Sequence, residues 1–265
     1  MLKLTTKIVD KPWGRRGIDP RFGVDPDRQV GEIWFEPPVG LALDVMAKYL
    51  FTTERLSIQV HPNDETARQR GYPRGKDECW IVLDVDENAE LGIGTIRDVP
   101  SGELMQAAKD GSIVDLMDWR KPKRGDFIYN RAETIHAIGP GLTVMEIQQS
   151  VDLTYRLYDY GRPRELHLKE AEDVVHAQPH SDPRDTNVDG ESRVLVDGPH
   201  FGVAWCVGAP PPLPADMHDI QLLPVDAAVC EVAPGECALL DSEVAQQLTS
   251  GGSFVLAWST ETGSS

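Results

Sequence analysis

Leu56-Ser57-Ile58-Gln59-Val60-His61 alternates strictly between apolar and polar side chains. Successive side chains of an extended strand point to opposite faces. Leu56, Ile58 and Val60 therefore pack on one side, while Ser57, Gln59 and His61 present polar groups on the other. A second extended run puts Glu78, Trp80 and Val82 on one face, which aims a carboxylate at the same interior from a separate strand. His136 follows the Gly125-Asp126 turn by one turn-and-strand interval. Two imidazoles, a carboxylate and the amide oxygen of Gln59, all on rigid strands, make a nitrogen/oxygen donor set suited to a divalent metal. A strand histidine is as often a hydrogen-bonded structural group, so spacing alone leaves both readings open.

Outward from this stretch the same grammar continues. The 23 glycines and 20 prolines recur between short β-branched or aromatic segments, the punctuation of an all-β sandwich or barrel with a few short helices. Strands are expected at 32–36, 54–60, 78–83, 125–130, 142–148, 153–159, 193–197, 201–207, 219–223, 227–233 and 253–258. Helices are expected from Ser101 to Lys109 with Gly111 after the end, from an Asn63 or Asp64 cap to Arg70, and over 168–176. The run HAQPHSDPRDTNVDGES at 176–192 is polar and rich in turn formers, and marks a linker between residues 1–175 and a second, smaller β unit at 193–265. His176 and His180 have helical spacing inside it, but Pro179 breaks that helix. The last residues, from Thr260, are expected to fray.

The 265 residues can bury a sizeable core, and 26 Lys+Arg against 43 Asp+Glu give a net charge of −17. That field repels nucleic-acid backbones and anionic membrane surfaces, so neither is expected as a partner. The apolar runs are too short to span a bilayer, and MLKLTTKIVDKPWG lacks a secretory apolar core, so a cytoplasmic location is expected. Cys79, Cys206, Cys230 and Cys237 form no C-x-x-C pair and imply neither a disulfide framework nor a cysteine zinc site.

Four ordered stretches carry a resemblance: Ser57-Ile58-Gln59-Val60-His61-Pro62-Asn63-Asp64, Gly75-Lys76-Asp77-Glu78-Cys79-Trp80, His136-Ala137-Ile138-Gly139, and Gln148-Gln149-Ser150 through Tyr155-Arg156-Leu157-Tyr158-Asp159-Tyr160. With Lys11-Pro12-Trp13-Gly14 and Gly31-Glu32-Ile33-Trp34 they resemble the class I mannose-6-phosphate isomerases of the cupin superfamily over the first two-thirds of the chain. The resemblance implies two cupin (jelly-roll) β-barrel units, the second reduced. It implies one Zn2+ held by Gln59, His61, Glu78 and His136, with iron or manganese as alternatives. Arg156, Glu146 and Lys76 are implied as catalytic residues, Glu146 as the general base, and Lys48, Ser57, Lys76 and Arg156 as contacts for a small phosphorylated sugar.

The expected activity is the metal-dependent interconversion of mannose 6-phosphate and fructose 6-phosphate through an enediol or enediolate. Two departures from the family pattern are an abbreviated FEPPVGLALDVMA segment and Arg131-Ala132-Glu133-Thr134, where Glu133 replaces an expected glycine. They keep open a non-catalytic sugar-phosphate-binding regulator. Two histidines and a carboxylate would also suit a redox cupin.

Overall fold

The computed structural model describes residues 1–188 and 190–260; the end expected to fray beyond Thr260 lies outside the described residues. The chain opens with strands β1 (Leu2–Lys3), β2 (Thr5–Arg15), β3 (Val30–Glu36) and β4 (Val45–Phe51). There follow β5 (Ile58–Val60), α1 (Asp64–Gln69), β6 (Glu78–Val85), β7 (Leu91–Thr95), α2 (Ser101–Asp110), α3 (Ile113–Leu116) and β8 (Met117–Arg120). Next come β9 (Asp126–Asn130), β10 (His136–Ile138), β11 (Leu142–Gln149), β12 (Tyr155–Tyr158) and α4 (Leu168–Glu172). The C-terminal part holds β13 (Thr186–Asn187), β14 (Arg193–Asp197), β15 (Phe201–Val207), β16 (His218–Pro224), β17 (Ala238–Leu240), α5 (Ser242–Gln246) and β18 (Ser253–Ser259). The chain is thus mainly antiparallel β with short helices.

Two compact units divide it. One comprises Met1–Leu50, Met145–Ser150 and Thr186–Ser265, the other Phe51–Val144 and Val151–Asp185. The crossing at Asp185 falls inside the expected 176–192 linker, but residues 1–50 group with the C-terminal strands rather than with the histidine-bearing unit. The first unit contains the sheet β1-β17-β16-β18-β15-β14 and antiparallel pairs β2–β3 and β3–β4. Leu222, Phe254, Leu256 and Trp258 are central to its apolar core.

The histidine-bearing unit contains the sheet β12-β5-β10-β7-β8 and the antiparallel pair β6–β9. Ile58, Val60, Ala137, Tyr155 and Leu157 of that sheet join Leu104, Ala107 and Ala108 of α2 in one buried cluster. α2 follows the expected boundaries, with Gly111 at φ 88° closing it by an N–H donated to the Ala107 carbonyl. Its N-cap is Pro100, and the Ser101 hydroxyl instead donates to Glu172. Asn63 caps α1 by accepting from the Thr66 N–H at 2.9 Å.

One expected strand does not form. Residues 227–233 make a tight turn, with Cys230 and Glu231 in the left-handed region and Val229 and Val232 exchanging both backbone hydrogen bonds.

Gly202 lies opposite Trp258, and a Cβ there would sit 1.9 Å from the Trp258 ring. Because Trp258 is buried in the core and cannot swing away, Gly202→Ala should lower stability by about 1–3 kcal/mol, read from the midpoint of urea unfolding.

Candidate metal centre

The apolar face of the five-stranded sheet fixes what the opposite face presents. Register places Gln59 opposite His136 on one side and opposite Arg156 on the other, so three polar residues form a row across β10, β5 and β12. Their neighbours Ile58, Val60, Ala137, Tyr155 and Leu157 point into the helix-packed core. His61 follows β5 directly, and Glu78 opens β6 opposite Asn130 of β9.

The described residues place ligand atoms of His61, Glu78 and His136 within 4.8 Å of one another, all three buried. Glu78 Oε1 lies 3.2 Å from His136 Nε2, and Oε2 lies 3.6 Å from His61 Nε2. The far sides of both rings are tied to backbone: His61 Nδ1 is 2.8 Å from the Leu153 carbonyl and His136 Nδ1 is 2.9 Å from that of Thr134. A carbonyl only accepts, so the His61 ring carries its proton on Nδ1 and turns the Nε2 lone pair toward Glu78, while His136 Nδ1 lies between the Thr134 carbonyl and the Asn130 amide at 3.1 Å and its Nε2 likewise faces Glu78.

Electrostatics keep the three groups in their ligating forms. Burial drives the His61 imidazole well below its ordinary pKa, and the Lys76 charge adds to this. Burial likewise lowers that of His136, more than the Glu78 charge raises it. For Glu78, burial pushes its pKa up, but the charge of Lys76 and the hydrogen bond it donates pull it down further, so the carboxylate is anionic. Neutral imidazole nitrogens beside a carboxylate are the donor forms a divalent cation requires.

Other candidates fall into two groups. Lys76 is buried beside the centre, its Nζ 2.7 Å from Glu78 Oε2 and 3.3 Å from His61 Nε2. The Gln59 amide turns Nε2 to His136 Nε2 at 3.3 Å and Oε1 to the Ser57 hydroxyl at 3.0 Å. Because that hydroxyl can donate or accept, Ser57 can hold the amide in either orientation. Lys48 and Glu146 lie in the other unit, where they pair at 3.0 Å and Lys48 also approaches Glu32 at 3.7 Å.

Glu133 sits at φ 72°, a left-handed conformation in which glycine is the easy choice. There it donates its N–H to the His61 carbonyl and accepts from the Asn63 side chain at 2.8 Å, tying the loop to the cap of α1. His176 and His180 take no part in the cluster; His180 pairs with Asp185 at 2.9 Å.

Two elements of the centre have no sequence signal of their own. The carbonyls of Leu153 and Thr134 orient the rings, and backbone acceptors carry no residue signature. Asn130 donates to Glu78 Oε1 at 2.8 Å and becomes visible only once the β6–β9 register is known.

No family model matches the chain. The mannose-6-phosphate isomerase of Streptococcus mutans is 32% identical over 244 residues, 76% of this chain and 77% of that protein. ManA, a mannose-6-phosphate isomerase of Bacillus subtilis, is 41% identical over 138 residues, 49% of this chain and 44% of that protein. The crystal structure of a mannose 6-phosphate isomerase from B. subtilis matches with a TM-score of 0.76 at 25% identity, covering 97% of this chain and 98% of that one. For a putative mannosephosphate isomerase from Archaeoglobus fulgidus the TM-score is 0.73 at 15% identity, covering 98% and 97%, a likeness of fold.

Replacing either imidazole should empty the centre. His136→Ala is expected to leave less than a tenth of the parent's bound metal after dialysis, measured by elemental analysis; full metal retention would remove His136 from the ligand set.

Proposed function

The chain belongs to the mannose-6-phosphate isomerase family, and from that membership we propose that it interconverts mannose 6-phosphate and fructose 6-phosphate as a metal-dependent aldose–ketose isomerase of cupin fold. The observation that carries this reading is the buried convergence of His61, Glu78 and His136. We infer that Gln59 is the fourth ligand and that the metal is zinc. Two imidazoles, a carboxylate and an amide oxygen suit it, and the reaction needs no change of oxidation state.

Isomerisation moves a proton between C1 and C2, and its barrier is set by negative charge building on oxygen. A bound divalent cation supplies Lewis-acid stabilisation of that charge. Around it the chain's own groups orient and exclude. The Leu153 and Thr134 carbonyls hold both rings, and burial keeps bulk water from the ligand atoms. Lys76, held between Glu78 and His61, places a compact cation where sugar oxygens would approach. Arg156 shares the row of Gln59 and His136, which supports its assignment as a substrate-binding and catalytic cation. We assign proton abstraction to Glu146, which pairs with Lys48 at 3.0 Å, and sugar-phosphate contacts to Lys48 and Ser57. The described residues contain nothing that favours a non-catalytic regulator or a redox cupin. No helix among them is long and apolar enough to cross a membrane.

A coupled assay should show fructose 6-phosphate converted to mannose 6-phosphate and back, with loss of turnover on chelation and recovery with Zn2+. Turnover by metal-free protein would overturn the metal dependence, and full recovery with iron but not zinc would overturn the metal assignment. Glu146→Gln should lower kcat by about 10²–10⁴-fold with bound metal unchanged; an unaltered kcat would assign the base elsewhere.

A further inference from the structure

Glu133 occupies a position that its residue type resists. It is the third residue of a turn closed by the Thr134 N–H, which donates to the Arg131 carbonyl at 3.2 Å. Its φ of 72° is disfavoured for any residue with a Cβ, and turns of this kind take glycine or asparagine there. Such strain persists only where surrounding contacts over-determine it.

Those contacts lead to the chain beside all three ligand candidates. The Glu133 N–H donates to the His61 carbonyl at 2.6 Å, and its own carbonyl accepts from the His176 N–H at 2.7 Å. Its carboxylate accepts from the Asn63 amide at 2.8 Å. Asn63 is fixed a second time by accepting from the Thr66 N–H at 2.9 Å, so the segment from His61 to the cap of α1 is fastened to Glu133 at both ends. On one side of Glu133, Ala132 donates its N–H to Asp77 Oδ1 at 2.9 Å, next to Glu78. On the other side, the Thr134 carbonyl lies 2.9 Å from His136 Nδ1. The His176 ring approaches the carboxylate only at 3.8 Å and is 62% exposed, so that pair contributes little.

A glycine at 133 would adopt this backbone freely and keep both main-chain hydrogen bonds. The one thing it could not supply is the bond to Asn63. Without that bond the turn is free to shift against the His61 segment, and the Thr134 carbonyl that orients His136 shifts with it.

We propose that Glu133 is a positioning residue of the metal centre: by holding Asn63, its carboxylate locks the 131–134 turn against the His61 segment and so sets the separation of the two imidazoles. This rests on the reading of His61 and His136 as metal ligands, and not on the identity of the sugar.

The whole metal-loaded chain and its variants are titrated with a chromophoric zinc chelator, with urea unfolding followed in parallel. E133G and E133A both lose the carboxylate, but only E133A keeps the backbone strain, so E133G should unfold at the higher urea concentration. Both are expected to hold Zn2+ about tenfold more weakly than the parent. E133Q keeps an oxygen that accepts from Asn63 and should bind Zn2+ within about threefold of the parent, which separates the hydrogen bond from the lost charge. N63S retains a hydroxyl to cap α1 but has no amide to offer Glu133. It should match E133G, and it decides the matter if the Glu133 variants do not fold. Zn2+ affinity of E133G or N63S within about twofold of the parent, affinities that merely follow the urea midpoints, or a loss in E133Q as large as in E133G would overturn the positioning role and leave the ligand assignment standing. A parent chain that binds no Zn2+ would overturn that assignment and the positioning role together.

Discussion

The register of three short strands is the constraint on which the site depends. Gln59 faces His136 across one ladder and Arg156 across the next, and every residue adjacent to this row belongs to the helix-packed core. Side chains alternate with a period of two, so a slip of one residue in β5 would turn Gln59 into the core and push Ile58 or Val60 toward the ligands. The apolar burial of β5 against α2 therefore determines which atoms meet at the centre. Fold stability and ligand geometry share one set of contacts.

Within that frame the buried charges are mutually supporting. Glu78 accepts from Lys76 and Asn130 and faces both Nε2 atoms, so an anion that burial alone would neutralise stays ionised. An uncompensated charge in such a place is costly, and removing one partner commonly destabilises more than the pair contributes. A related arrangement occurs in the other unit, where Lys48 is flanked by Glu146 and Glu32, and Glu32 also accepts from the Trp34 indole at 2.6 Å. In both places a lysine is held against a buried carboxylate of a strand, which limits its freedom to reorient.

Much of this was legible in the chain because it is local. The alternation at 56–61, the face shared by Glu78 and Trp80, and the Ser101–Lys109 helix with its glycine stop all rest on short-range periodicity, and the corresponding elements formed. What escaped is not local. β2 has mostly exposed or half-buried residues without apolar alternation, and it is a strand because β3 pairs with it. β10 is three buried residues long, too short for any period to register, although it holds His136. The 227–233 run is apolar enough for a strand, yet left-handed residues at Cys230 and Glu231 turn it back on itself. The ring-orienting carbonyls of Leu153 and Thr134 are invisible for a stronger reason, since every residue has one. The grouping of residues 1–50 with the C-terminal strands depends on pairings such as Leu2 with Leu239, which no window along the chain can contain.

That last pairing bears on how the protein is made. Translation proceeds at about 5–20 residues per second, so β1 waits on the order of ten seconds or more before its partner β17 exists. The unit carrying the ligand candidates has its whole sequence by Asp185 and can close first. β2 ends its sheet and pairs only with β3, so its outer edge stays unmatched during and after synthesis, and the charges of Lys7, Asp10 and Lys11 with the ring of Pro12 interrupt it. Such residues discourage edge-to-edge association between nascent chains. The polar irregularity that hid β2 as a strand thus also guards it during synthesis.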